Sequence, residues 1–134
     1  GGDELNRIEP GQNYGWPVVT HGREHSGAAI SEFTSKPGMM DPVRQWTPSI
    51  AVCPLMFSDS ARYPRWKNQL LGGSLLRQEL RRIEVEQGRL ADEELLFRHR
   101  GRIRDIQTGL DGFIYLALEQ EGRSGEVVKL VPAP

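Results

Sequence analysis

A single cysteine, Cys53, leaves this 134-residue chain no partner for an internal disulfide, so cysteine usage does not decide the redox compartment. No sign of charge predominates: 17 Lys and Arg stand against 18 Asp and Glu. The electrostatic footprint of a nucleic-acid partner or of an anionic membrane surface is therefore missing. No apolar run approaches the roughly 20 residues that a bilayer-spanning helix needs. The patterns GxGxxG, P-loop, HExxH and GxSxG are absent too. The chain opens on "GGDEL", with neither a methionine nor a signal segment. We read it as processed, trimmed, or a piece of something longer.

Turn chemistry is what the chain has in quantity. It holds 15 glycines and 9 prolines, which call for many turns between short elements. "ELNRIEP" alternates weakly and runs into the turn cluster "PGQNYGWP". Residues 20–48 show no sustained period and read as one long loop, a length that usually carries function or else means that an element has been missed. From Ile50 the rhythm is regular. "IAVCPLMF" and "QLLGGSLL" read as strands, with Gly72 and Gly73 allowing close backbone approach or a bulge. "ELRRIEVE" is a third strand, placing Arg81, Ile83 and Val85 on one face. "EELLFRHRG" reads as a fourth strand or as one helical turn. "RIRDIQT", "FIYLALE" and "EVVKLVP" follow, the first two joined by an Asp111-Gly112 turn. Short strands at this spacing suggest a sandwich, barrel or propeller, and the repeated four-strand rhythm leans toward propeller blades.

Within "GRIRDIQTGLDG", Arg102 and Arg104 sit two positions apart, with Ile103 and Ile106 available as anchors. On a regular strand residues at i and i+2 face one side. The spacing leaves two readings open. One is a pair of solvated arginines neutralised by Asp105 or a nearby glutamate. The other is a cationic fork aimed at an anionic ligand.

"GGDELNRIEPGQNYGWPVV", "WTPSIA", "YPRWKNQLLGGSL", "RRIEVEQGR", "EELLFRHRGRIRDIQTGLDGFIYLAL" and "GEVVKLVP" occur in the order seen in the glucose/sorbosone dehydrogenase family. The chain resembles that family over nearly its whole length, most weakly across residues 22–42. The resemblance implies soluble, PQQ-dependent aldose sugar dehydrogenases on a six-bladed β-propeller. It implies an all-β partial propeller of about two to three four-stranded antiparallel blades. Residues 1–49 would end one blade and add a long loop, 50–100 would form a complete blade, and 101–134 most of the last. The family's catalytic histidine lies upstream, as do the Gly-Pro carbonyls that hold PQQ-bound Ca²⁺. No catalytic residue is therefore expected in this chain.

The resemblance also assigns candidate roles. Arg102 and Arg104 would face the cofactor, gripping PQQ carboxylates and favouring negative charge on the quinone oxygens. Trp46 would pack a flat face against cofactor or substrate, or else fill a core. Glu4 and Glu24, with backbone carbonyls of Tyr14 and Thr20, would hold a structural Ca²⁺, or else line an unliganded turn. Trp16 and Trp66 read as structural plugs. Leu76 stands where relatives carry a lysine on PQQ; Arg77 beside it would face the other way on a strand. His21, His25, His99 and Cys53 carry no chemistry on this reading.

The function implied is part of an enzyme that oxidises the anomeric carbon of an aldose to a lactone, passing hydride to PQQ. The chain alone is expected to be inactive. The alternative is a non-catalytic, propeller-derived module that binds a sugar or a protein, or simply assembles. Expected partners are the sugar, PQQ and further copies of the chain through exposed blade faces, with no nucleic acid and no membrane. The family implies a periplasmic or secreted location.

Overall fold

The structure, a computed structural model, describes residues 1–132. The last two residues of the expected 101–134 segment lie outside the described residues. The chain forms two compact units: Gly1–Ile50 with Gln87–Arg89, and Ala51–Glu86 with the chain from Leu90 on.

In the first unit, strand β1 (Asp3–Leu5) pairs antiparallel with β2 (Arg44–Trp46), Asp3 opposite Trp46. β2 lies inside the stretch read as unbroken loop. "RQW" carries no apolar period, so only the pairing with β1 makes it a strand. Between them the chain is held by local bonds. Val19 N–H donates to Gly15 O at 2.8 Å, and the Thr20 hydroxyl accepts from Gly22 N–H at 2.9 Å. The Asp3 carboxylate accepts from Ser49 Oγ at 2.8 Å and from Ile50 N–H at 2.9 Å, closing the unit's two ends. Trp16, read as a plug between blades, is 69% exposed in this chain.

The second unit carries two sheets. β3 (Val52–Ser58), β4 (Gln69–Ser74), β5 (Glu79–Glu86) and β6 (Arg89–Arg98) lie in sequence order in an antiparallel four-stranded sheet. β7 (Arg102–Thr108), β8 (Ile114–Glu119) and β9 (Glu126–Lys129) form a three-stranded one. Leu71 and Leu80 of the first sheet pack with Ile103, Ile106, Ile114, Leu116 and Leu118 of the second in one buried core.

β6 settles the helix-or-strand choice in favour of strand. Glu and Leu favour helix, but pairing with β5 in the sheet overrides propensity here. Arg81 lies 2.7 Å from Glu93 and 2.6 Å from Glu79; Arg82 lies 2.8 Å from Glu94 and 2.6 Å from Asp92. Burial alone would lower the Arg81 pKa; its hydrogen bonds to Glu79 and Glu93 outweigh that and raise it.

β4 ends at Ser74, not at Leu76 as the apolar run suggests. Ser74 Oγ accepts Glu79 N–H at 3.0 Å, capping the turn. Leu76 and Arg77 thus sit in the β4–β5 connection, where strand alternation does not apply. Gly73 shows why a side chain is missing at that point. A Cβ there would stand 2.7 Å from Cys53 O and 2.8 Å from Ile103 Cγ2.

The β3–β4 connection locks onto the second sheet. Tyr63 is buried; its hydroxyl donates to Leu130 O at 2.6 Å and accepts Ile114 N–H at 3.0 Å. Trp66, on a short 3₁₀ turn (Pro64–Trp66), stacks on the Tyr63 ring with centroids 5.1 Å apart. Trp66 is therefore a structural residue of this unit.

The β7–β8 hairpin turns through Asp111-Gly112. Asp111 Oδ1 accepts Phe113 N–H at 3.1 Å and Oδ2 accepts the Tyr115 hydroxyl at 2.8 Å. The Tyr115 hydroxyl holds the Asp111 carboxyl below the usual carboxylate range, and the same bond raises the Tyr115 pKa. A depressed carboxyl contributes stability above its unfolded pKa and loses it as pH falls through the lower folded value. The raised phenol contributes below the ordinary tyrosine pKa and loses it as pH rises through the higher folded value. The turn bond is therefore complete between those limits, from about pH 4 to about pH 10. Tyr115→Phe should move the Asp111 carboxyl upward in an NMR titration, and an unchanged midpoint would contradict the assignment.

Candidate functional site

The two arginines of interest lie at the start of β7. Ile103 and Ile106 are both fully buried although three positions apart. Regular alternation would send them to opposite faces. A bulge between Ile103 and Asp105 reconciles the two: Ile103 faces Leu118, while Asp105 faces Ala117. Asp105 Oδ1 accepts Ile106 N–H at 2.9 Å beside the irregularity. Cys53 Sγ lies 3.8 Å from Arg104 O, placing this bulge alongside β3.

Both arginines converge on one carboxylate. Glu119, opposite Arg102 in the register, lies 3.8 Å from the Arg102 guanidinium, and Arg104 forms a short ion pair with it through Nε and Nη2. The two side chains keep 45% of their surface in solvent, and that of Glu119 keeps 42%. Sequence spacing placed the arginines on one strand face. The alternative reading, arginines neutralised by Asp105 or a nearby glutamate, meets Glu119 in the structure, and the convergence depends on the bulge.

Arg102 also walls an open cleft of about 540 Å³, together with Gln78, His99, Arg100, Glu119 and Arg123. The β4–β5, β6–β7 and β8–β9 connections meet there. Gln78 and His99 both take left-handed backbone, at φ 53° and 61°, and His99 N–H donates to Gln78 O at 3.0 Å. Arg100, Arg123, Gln78 and Glu119 were not singled out in the sequence. The signal available was the turn positions that follow from strand spacing.

The remaining candidates belong to the first unit. Trp46 is 6% exposed in β2, with the Arg44 guanidinium 5.2 Å over its ring. That is the burial of a packing residue. Glu4 Oε2 accepts from Asn6 Nδ2 at 3.2 Å. The Tyr14 hydroxyl accepts Glu9 N–H and donates to Arg7 O. Thr20 N–H donates to Phe33 O, and Glu24 pairs through its backbone with Ala28 and Gly27. None of Glu4, Tyr14, Thr20 and Glu24 hydrogen-bonds another of the four among the described residues. No group of three or more His, Cys, Asp and Glu poised for a metal occurs among the described residues. Asn6 Oδ1, beside the Glu4 carboxylate, is buried without a hydrogen-bond partner.

A family model described as glucose/sorbosone dehydrogenase matches residues 1–129. The chain belongs to that family. It is 36% identical to the aldose sugar dehydrogenase YliI of Escherichia coli over 98% of this chain and 36% of that protein. A crystal structure of a glucose dehydrogenase superposes with a TM-score of 0.86 at 36% identity, covering 99% of this chain and 39% of the other. A PQQ-bound aldose sugar dehydrogenase from Streptomyces coelicolor shares the fold at 24% identity and a TM-score of 0.66, over 96% of this chain and 36% of that one. The chain spans about a third of the length of the curated relatives it matches. Its antiparallel sheets thus match part of a glucose dehydrogenase propeller. Among the described residues no helix is long and apolar enough to cross a membrane.

Proposed function

We propose that this chain supplies the arginine wall of a PQQ-dependent aldose dehydrogenase centre. The observation that carries the reading is the convergence of Arg102 and Arg104 on one carboxylate at the rim of a cleft. Two guanidiniums already arranged around one carboxylate fit the chemistry of PQQ, which bears several. When bound, PQQ supplies the hydride acceptor for oxidation of an aldose at its anomeric carbon to a lactone. Arg102 and Arg104 would hold its carboxylates, and their positive charge would favour charge building on the quinone oxygens. Glu119 holds the two side chains until the cofactor's carboxylates take its place. No general base is assigned in this chain, so its part is to hold and polarise.

The chain should bind PQQ but show no aldose-dependent dye reduction when supplied with PQQ and Ca²⁺. Dye reduction by the chain alone would overturn the division of labour. Failure to bind PQQ would favour a second reading, a non-catalytic binding or assembly module. One observation points that way: Glu119 already neutralises the arginines.

Glu4 is the carboxylate we assign to a structural Ca²⁺, with Glu24 and the Tyr14 and Thr20 carbonyls. The unpartnered oxygen of Asn6 beside it makes an oxygen-rich corner of the kind a hard cation satisfies. Ca²⁺ at ten times its dissociation constant should stabilise the chain by about 1.4 kcal/mol. The gain should be read as a rise in melting temperature and should vanish in Glu4→Gln; an equal rise in the variant would remove Glu4 from the site.

We also infer self-association. Leu55 and Phe57 on β3, an edge strand of the described sheet, are 53% and 68% exposed. Exposed apolar side chains on an edge favour pairing with a second copy. Sedimentation velocity at high micromolar concentration should show a dimer or larger species, and a clean monomer would contradict it.

A further inference from the structure

We propose that the cleft walled by Arg100 and Arg123 is an oxyanion site for a small acidic ligand of the sugar-acid or sugar-phosphate class. This is a separate grip from that of Arg102 and Arg104. Glu119 is committed to those two arginines. Arg100 and Arg123 have no ion-pair partner among the described residues, yet they line the same cleft. Three arginines and two glutamates line the cleft; with Arg102 beside Glu119, Arg100 and Arg123 share it with Glu121 alone. The excess positive charge calls for an anion.

The walls are built. His99 N–H donates to Gln78 O at 3.0 Å, joining two connections, and Arg123 N–H donates to Gln120 O at 3.3 Å, closing the β8–β9 turn. A volume near 540 Å³ falls in the range of small-molecule sites, about 300–1,000 Å³. Guanidinium forks match carboxylate and phosphate oxygens in pairs. Gln78 and His99 add donors and acceptors suited to hydroxyl groups. Carboxylate and phosphate share the chemistry that the cleft reads, and the neutral sugars lack it.

The sugar part of the claim rests on the dehydrogenase reading, while the anion part does not. The test is an amide-shift titration of the full chain at low salt with D-glucuronate, glucose 6-phosphate, inorganic phosphate and D-glucose. Glucuronate or glucose 6-phosphate should shift Gly101 and Arg123 saturably. Binding should weaken at least tenfold in Arg100→Gln/Arg123→Gln, and Arg100→Lys/Arg123→Lys should restore part of it. Both arginines are exposed, so neither pair of substitutions threatens the core. Equal binding of glucose, or unchanged binding in the glutamine variant, would overturn the site. Inorganic phosphate binding as tightly as the sugar anions would overturn the sugar class. A parallel PQQ titration separates the two readings. Lost PQQ binding with intact sugar-acid binding fails only the cofactor proposal, and the reverse fails only this one. PQQ binding that depends on Arg100 and Arg123, with no sugar anion bound, would make the cleft an extension of the cofactor grip and overturn it.

Discussion

Gly73→Val should destabilise the second unit by about 3 kcal/mol, the upper end of the usual overpacking cost. The position tolerates no Cβ as built: Cys53 O would be 2.7 Å away, and Ile103 Cγ2 and Cβ 2.8 and 2.9 Å away. One obstacle is backbone of the paired strand β3 and cannot rotate aside. The other is a fully buried isoleucine in the core shared by the two sheets. Relief therefore requires β7 to move off β4, which opens the contact between the sheets. Gly73→Ala should cost less, about 1–2 kcal/mol, because only one methyl must be accommodated. Urea unfolding of both variants checks this. Midpoints equal to that of the parent chain would mean that the sheets do not approach as described.

The double variant Arg102→Gln/Arg104→Gln should bind PQQ about a hundredfold more weakly. A charge-assisted hydrogen bond contributes about 1.5 kcal/mol at the low end of its range, suited to side chains with nearly half their surface in solvent. That is about tenfold in affinity per arginine. Single variants should each show roughly the tenfold step. Glu119→Gln separates binding from repulsion: it frees both guanidiniums, so PQQ affinity should rise or hold. A fall in that variant would mean that Glu119 positions the arginines more than it competes for them. Weakening by added salt should accompany the parent chain and shrink in the double variant.

The order of strands from Val52 onward was legible, apart from β6, which stood between strand and helical turn, because turns and apolar runs alternate there. β2 was not, since Arg44, Gln45 and Trp46 have no period of their own and become a strand only opposite β1. The bulge in β7 was half legible. Two isoleucines three apart cannot both face inward on a regular strand, so Ile103 and Ile106 announced an irregularity. Its consequence for register was not readable. Counting back from the Asp111-Gly112 turn, Thr108 faces Ile114 and Asp105 faces Ala117 in step, but the bulge then sets Arg102, in place of Ile103, opposite Glu119. This one-residue slip brings the glutamate to the arginines. The arginine pair itself stood out by spacing, whereas the cleft arginines Arg100 and Arg123 come from two different connections and meet only in the fold. Tyr63 was hidden in a connection, because nothing local tells that its hydroxyl will tie Ile114 to Leu130.

The most direct test of the arginine wall is to follow the Nε–H signals of Arg102 and Arg104 in the isotopically labelled chain as PQQ is added in excess. Both signals should shift saturably at one common dissociation constant, with Arg104 Nε–H leaving the environment set by Glu119. Signals that stay fixed while PQQ is bound elsewhere, or that do not respond at any concentration, would contradict the arginine wall.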